Sequence, residues 1–233
     1  MKGLGMTNIR IDNATTFTPH NLLERLIEVE EKAWSAQGNA ISASAEKIRK
    51  RVVTFPEGVV IACDESKPEL PVAGSQYFFR FDWDKDFSRL TSWEEATHNG
   101  NTWEVHRDDG TTGFLVGVGV VPEYRGKRVR HNLRFGEHKV SELLIAFVLD
   151  SLFDAGVERV IANARIPFYH KIGSEMGVEE YCAFRQGGKL FDPVLRFHER
   201  MGAKILKPVA YSMDDPESRN GGCWVVYERR FES

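Results

Sequence analysis

The sequence predicts one mixed α/β domain, with a central sheet covered by helices on both faces. Three observations predict it. Compact apolar runs at Val59–Cys63, Val72–Phe81 and Phe114–Val121 have strand length, and helix-period stripes interleave with them. The order of elements is two helices and two strands, then strand, helix, strand, helix and a final strand pair. Last, Gly38, Pro122, Gly156 and Gly202 close the segments they follow.

Ile9–Ile11 reads as a short strand. Thr18 and Pro19 suit a cap and first helical position before the stripe Leu22, Leu23, Leu26, Ile27, Val29, Ala33 and Trp34, which Gly38 closes. A second helix starts near Ser44 and stops at Phe55-Pro56. Between Asp82 and Gly113 the composition shifts to Trp83, Trp93 and Trp103 among polar residues, an inserted excursion with one helical turn near Ser92–Ala96. Phe114–Val121 is the strongest strand and ends at Pro122. Ser141–Ala155 forms a long helix closed by Gly156, and Val157–Ala164 the next strand. Asp192 and Pro193 open a helix that Gly202 closes, and Ile205–Ser212 and Trp224–Arg230 end the sheet.

Composition narrows the classes. A formal charge of −3, spread along the chain, offers no basic face for nucleic acid. The apolar run Leu143–Leu149 is too short to span a bilayer, and Met1–Met6 carries no leader pattern, so neither nucleic acid nor membrane is an expected partner. Cys63, Cys182 and Cys223 lie far apart without ligand spacing, so they read as reduced thiols, no metal is expected, and the expected location is cytoplasmic.

Chemistry concentrates at Val118-Gly119-Val120-Val121-Pro122-Glu123-Tyr124-Arg125-Gly126-Lys127. A strand running into a basic, glycine-containing loop ahead of a helix is either an anion site built from backbone amides or a solvated basic turn. The stretch resembles the coenzyme-A motif of GNAT acyltransferases, V-x-V-x-P-x-x-R-G-x-G. Phe197-His198-Glu199-Arg200-Met201-Gly202-Ala203 resembles that family's F-Y-E-x-x-G-F helix end. Together they cover roughly Leu22–Phe231 in family order. The resemblance implies a GNAT fold over residues 1–233, with insertions at about 82–113 and 165–191.

It further implies acetyl-CoA or another acyl-CoA as co-substrate. Backbone groups of Val118, Val120 and Val121 would hold the pantetheine arm and thioester carbonyl. Arg125, Gly126, Lys127, Arg128 and Arg130 would hold the pyrophosphate, with Arg134–Val140 leading to Ser141 as a second candidate. Arg128 and Arg130 stand where the family has glycines, a departure that also admits a non-catalytic GNAT-shaped binding module. His198 replaces the family's tyrosine and is the candidate acid for the departing thiolate, with a pKa near neutrality. Asn163 is either a loop cap or a group orienting substrate or water. Glu123 reads as a solvated turn residue or a general base.

The segment 165–191 has the length of a lid or substrate wall. Its strings N-A-R-I-P-x-Y-H and F-D-P-V-L resemble GNAT domains fused to nitrilase-like enzymes, and GNAT-like decarboxylases of polyketide assembly. There a histidine at this position acts on a malonyl thioester and an arginine grips its carboxylate, for which Arg165 and Arg219 are candidates. Trp83 and Tyr211 are candidates for lining the acceptor pocket or for packing. The leading expectation is acyl transfer to an amine of a small molecule or protein. The alternatives are malonyl-CoA decarboxylation and transfer to a carrier-protein thiol. Strand edges near the C-terminus would permit a homodimer.

Overall fold

The computed structural model describes residues 7–16, 20–35, 41–131, 134–172 and 175–229, with backbone alone at 134 and 135. Its strands are β1 (Asn8–Asn13), β2 (Val59–Asp64), β3 (Val72–Phe81), β4 (Thr112–Val120), β5 (Arg128–His131), β6 (Arg134–Lys139), β7 (Arg159–Arg165), the short pair β8 (Arg185–Gln186) and β9 (Lys189–Leu190), β10 (Lys204–Val209) and β11 (Gly222–Glu228). Helices are α1 (Leu22–Trp34), α2 (Ala45–Thr54), α3 (Trp93–Ala96), α4 (Val140–Asp154), α5 (Val178–Ala183) and α6 (Pro193–Arg200). The main sheet pairs in the order β10-β11-β7-β4-β3-β2-β1-β5-β6. Two of its ladders, β1 with β5 and β4 with β7, are parallel. The chain divides into two compact units, residues 1–78 with 117–151, and residues 79–116 with 152–233.

In the first unit β2 is buried along its whole length, as its unbroken apolar run requires. The α1 stripe buries Leu22, Leu26, Val29 and Ala33. Ser44 caps α2, its hydroxyl accepting the Lys47 amide at 3.3 Å. The helix starts at Leu22; Thr18, Pro19 and Gly38 lie outside the described residues.

One element differs from expectation. The segment after Gly126 is not a loop leading to α4 but the hairpin β5–β6, whose first strand runs parallel to β1 through Asn8↔Arg130 and Ile9↔His131. The cause is a period-two pattern: Val129 points inward, and Arg128 and Arg130 point to solvent.

The second unit is built around aromatic packing. Phe79 stacks on Phe114 with centroids 4.8 Å apart, and Trp224 meets Phe114 edge-on at 5.5 Å. The excursion's tryptophans anchor it: Trp83 lies in this core with its indole N–H on the Asp86 carbonyl, and Trp93 donates to the Val116 carbonyl. The segment 165–191 packs through Tyr169, Tyr181 and Phe191. Tyr211 lies beyond the end of β10 and is exposed, not on a strand as expected, because β10 stops after Pro208-Val209. Asp192 is buried and caps α6, accepting the amides of Val194 and Leu195 while also taking the Tyr181 hydroxyl and the Phe168 amide. We predict that Asp192→Ala lowers unfolding free energy by about 3 kcal/mol in urea titration, because four donors lose one carboxylate.

Candidate functional site

β4 is the organising strand. It pairs with β7 from Thr112↔Arg159 to Leu115↔Ala162, and among the described residues that ladder goes no further. Past the ladder, the Val116 carbonyl accepts the Trp93 indole N–H at 3.1 Å and the Val120 carbonyl the Arg125 guanidinium at 3.2 Å. Gly117 lies in this stretch, and a Cβ built there meets nothing within 4 Å. The opposite edge stays attached to β3, with the Val121 amide on the Ala73 carbonyl at 3.1 Å. That bond corrects one expectation: the Val121 amide is engaged, and its carbonyl already accepts the amides of Tyr124 and Arg125. Val118 and Val120 lie on β4 just before it.

The turn after Pro122 is pinned from below. Tyr124 is buried and donates its hydroxyl to Asp64 Oδ2 at 2.7 Å, while Lys67 Nζ stands 3.0 Å from the same hydroxyl. Burial opposes the Asp64 charge, but bonds from Ser66 and Tyr124 and the nearby Lys67 outweigh it and hold the carboxyl below its ordinary pKa. Gly126 turns the chain at φ +74°, a conformation that suits glycine.

The basic side chains do not converge on one point. Arg125 folds back, donating to the Ala33 carbonyl at 2.7 Å and to the Val120 carbonyl at 3.2 Å, so it holds the turn against the end of α1. Arg128 donates to the Glu137 carbonyl across its own hairpin at 2.9 Å. Lys127 and Arg130 are exposed. Ser141 sits in the first turn of α4, where the Glu142 carboxylate already accepts the Lys139 amide at 2.9 Å.

In the second unit α6 presents His198. It is buried, and its Nδ1 lies 2.6 Å from the Tyr227 hydroxyl on β11. Desolvation alone pushes the imidazole down to about 4, so it is neutral at physiological pH, contrary to the expected near-neutral pKa. Burial also raises the Tyr227 phenol, which keeps its hydrogen. That hydrogen needs an acceptor, and Nδ1 is in reach, so Nε2 carries the imidazole hydrogen. His198 is thus an oriented N–H donor rather than a stored positive charge. Tyr227 was missed in the sequence; its signal was its place on the final strand, visible only after β11 is paired.

Asn163 is buried on β7, and its Oδ1 accepts the Ser212 hydroxyl at 2.7 Å. Arg165 is claimed by protein carboxylates, bidentate to Asp215 at 2.7 and 2.8 Å and bonded to Glu217 at 2.9 Å. This pairing ties the loop before β11 to the end of β7 and speaks against Arg165 as a grip for a substrate carboxylate. Arg219 lies over the Tyr169 ring at 4.5 Å. Tyr211 donates to Glu94 at 3.0 Å, and Glu123 is exposed.

No family model matches the chain. It is 27% identical over 210 residues to "Uncharacterized N-acetyltransferase YkwB" of Bacillus subtilis, a match covering 90% of this chain and 85% of that protein. It superimposes on the loading GNATL domain of CurA from Lyngbya majuscula with a TM-score of 0.72 and 26% identity, over 95% of this chain and 97% of that one. The GphF GNAT-like decarboxylase, solved with isobutyryl-CoA, shares the fold with a TM-score of 0.66 and 24% identity, over 95% and 99% of the two chains. The fold is the GNAT fold. Among the described residues no helix is long and apolar enough to cross a membrane.

The neutral state of His198 has a consequence for stability. Below the unfolded value of 6.5 the unfolded chain binds a proton that the folded chain refuses until about 4. Stability is therefore lost as pH falls between these values, by about 3 kcal/mol at most for this one group. In urea titrations at pH 7, 5.5 and 4, wild type is expected to lose more stability than His198→Phe across that window. Parallel losses would contradict the assignment.

Proposed function

We propose that the protein is an acyl-CoA-dependent acyltransferase that moves an acetyl or other short acyl group to an amine. The observation that carries this reading is the likeness to "Uncharacterized N-acetyltransferase YkwB" and to the GNAT-fold structures, alongside a β4–β7 ladder that ends at Leu115↔Ala162 among the described residues. The acceptor nitrogen attacks the thioester carbonyl carbon, the carbon–sulfur bond breaks, and the sulfur leaves with the electron pair. Backbone N–H groups of the β4 edge stabilise the developing oxyanion. His198 donates its Nε2–H as a hydrogen bond to the departing sulfur, and the proton that ends on the thiol is the one released by the amine. The neutral imidazole keeps its own hydrogen throughout, with Tyr227 fixing its tautomer.

A second reading is favoured by the likeness to the CurA loading domain and the GphF decarboxylase. Here malonyl-CoA loses carbon dioxide and the resulting thioester enolate takes a proton from water at carbon to give the acetyl thioester, or an acyl group passes to a carrier-protein thiol whose proton leaves with the CoA sulfur. The same N–H donor on His198 would serve a thioester enolate oxygen in that case.

Thermal unfolding with CoA, acetyl-CoA and malonyl-CoA tests the site. A ligand at 100 times its dissociation constant is expected to stabilise the fold by about 2.7 kcal/mol. His198→Phe is expected to lower kcat roughly 100-fold with coenzyme affinity unchanged, measured by thiol release. Equal turnover of the variant would remove the role of His198. Carbon dioxide release from malonyl-CoA without an amine would favour the second reading.

A further inference from the structure

Three ties close a frame around the turn at 122–126, all of them inside the first unit. Tyr124 reaches the end of β2, where Asp64 is wholly buried and accepts the phenol hydrogen on Oδ2 at 2.7 Å. Arg25 of α1 holds the connection that follows β2, donating to the Leu70 carbonyl at 2.7 Å and to the Glu69 carbonyl at 3.0 Å. Arg125 returns from the turn to the other end of α1, on the Ala33 carbonyl at 2.7 Å. Turn, β2–β3 connection and helix thus each hold the other two.

The first tie has a fixed direction. Lys67 Nζ, 3.0 Å from the phenol oxygen, is a donor only, so that oxygen accepts from it and its own hydrogen goes to Asp64. The other carboxylate oxygen accepts the Ser66 amide at 3.0 Å. The carboxylate is therefore held from both sides, and the Tyr124 ring with it.

This frame steadies a short stretch of accessible backbone. The Tyr124 and Arg125 amides are spent on the Val121 carbonyl, and the Lys127 amide on the Tyr124 carbonyl at 3.3 Å. Between them Gly126 is exposed at φ +74°, and a Cβ built there meets nothing within 4 Å. Lys127 adds an exposed cation next to it. Backbone open to approach beside a cation suits an anionic group, and suits it best when the turn already has its bound shape.

We propose that Tyr124 is a positioning residue for this turn, with Asp64 and Lys67 as its anchors, and that the turn so held takes the phosphate end of the acyl-CoA. The proposal rests on the acyl-CoA reading above. Of the two halves of the coenzyme, pantetheine carries no phosphate, so the frame acts on the nucleotide half alone.

The test is calorimetric titration of the full chain with CoA, with pantetheine, and with the phosphoadenosine diphosphate that remains when pantetheine is removed. Tyr124→Phe keeps the ring and removes the hydroxyl. It is expected to weaken CoA and the nucleotide roughly three- to tenfold and to leave pantetheine at its wild-type affinity. Lys67→Met is expected to weaken the same two ligands by a smaller factor, and Lys67→Gln, which restores a donor without the charge, to recover most of it. Equal losses in the two Lys67 variants would overturn the part given to Lys67. Wild-type nucleotide affinity in Tyr124→Phe would overturn the proposal while the coenzyme site stands. So would an equal loss for pantetheine, the mark of a general loosening of the unit. Failure of wild type to bind CoA at all would overturn the acyl-CoA reading and this proposal with it.

Discussion

Parallel strands hold together only where their amides and carbonyls can reach each other, and β4 and β7 reach over Thr112–Leu115 and then no more. Backbone polar groups inside a protein are expensive to leave unpaired, so an interrupted ladder next to a packed core asks for a partner from elsewhere. Here the interruption is tolerated because both strands are secured on their other sides. The Val121 amide is tied to β3, and β7 pairs with β11 from Arg159↔Glu228 to Arg165↔Gly222. Phe114, at the last secure turn of the ladder, is clamped between Phe79 and Trp224.

Polar groups buried in the second unit are arranged with the same economy. Among the described residues His198 bonds Tyr227, and desolvation decides its protonation. Asp192 meets four donors, and its capping role places the α6 helix that carries His198. Arg165 is neutralised by two carboxylates and becomes a fastening for the loop before β11. Similar residue types thus end in different roles, and the number of partners around each one separates them.

The turn of the first unit shows how a motif changes when its surroundings change. Arg125 matches the family's motif arginine, yet its guanidinium rests on the Ala33 and Val120 carbonyls. Arg128 and Arg130, which seemed to crowd a phosphate loop, belong to a strand and take no part in the turn. The departure from the glycine pattern is therefore an inserted hairpin rather than an obstructed loop.

The sequence by itself determined the strands and helices whose periodicity is strong, and their caps: β3 as Val72–Phe81, the Ser44 and Asp192 caps, and the isolated helical turn at Trp93–Ala96. These depend on local sterics and on alternation along the chain, which a linear reading captures. It also delimited the strand ending at Pro122 and the helix opened by Asp192 and Pro193, because their residues are close in sequence. The hairpin β5–β6 was misread since four residues of alternation are too few to outweigh a basic, turn-like composition. Only the tertiary structure decided which side chains have partners. His198 and Tyr227 are 29 residues apart, Asn163 and Ser212 are 49, and Tyr124 and Asp64 are 60. Protonation and orientation of those groups follow from burial and from bonds across strands, quantities that exist only once the chain has folded.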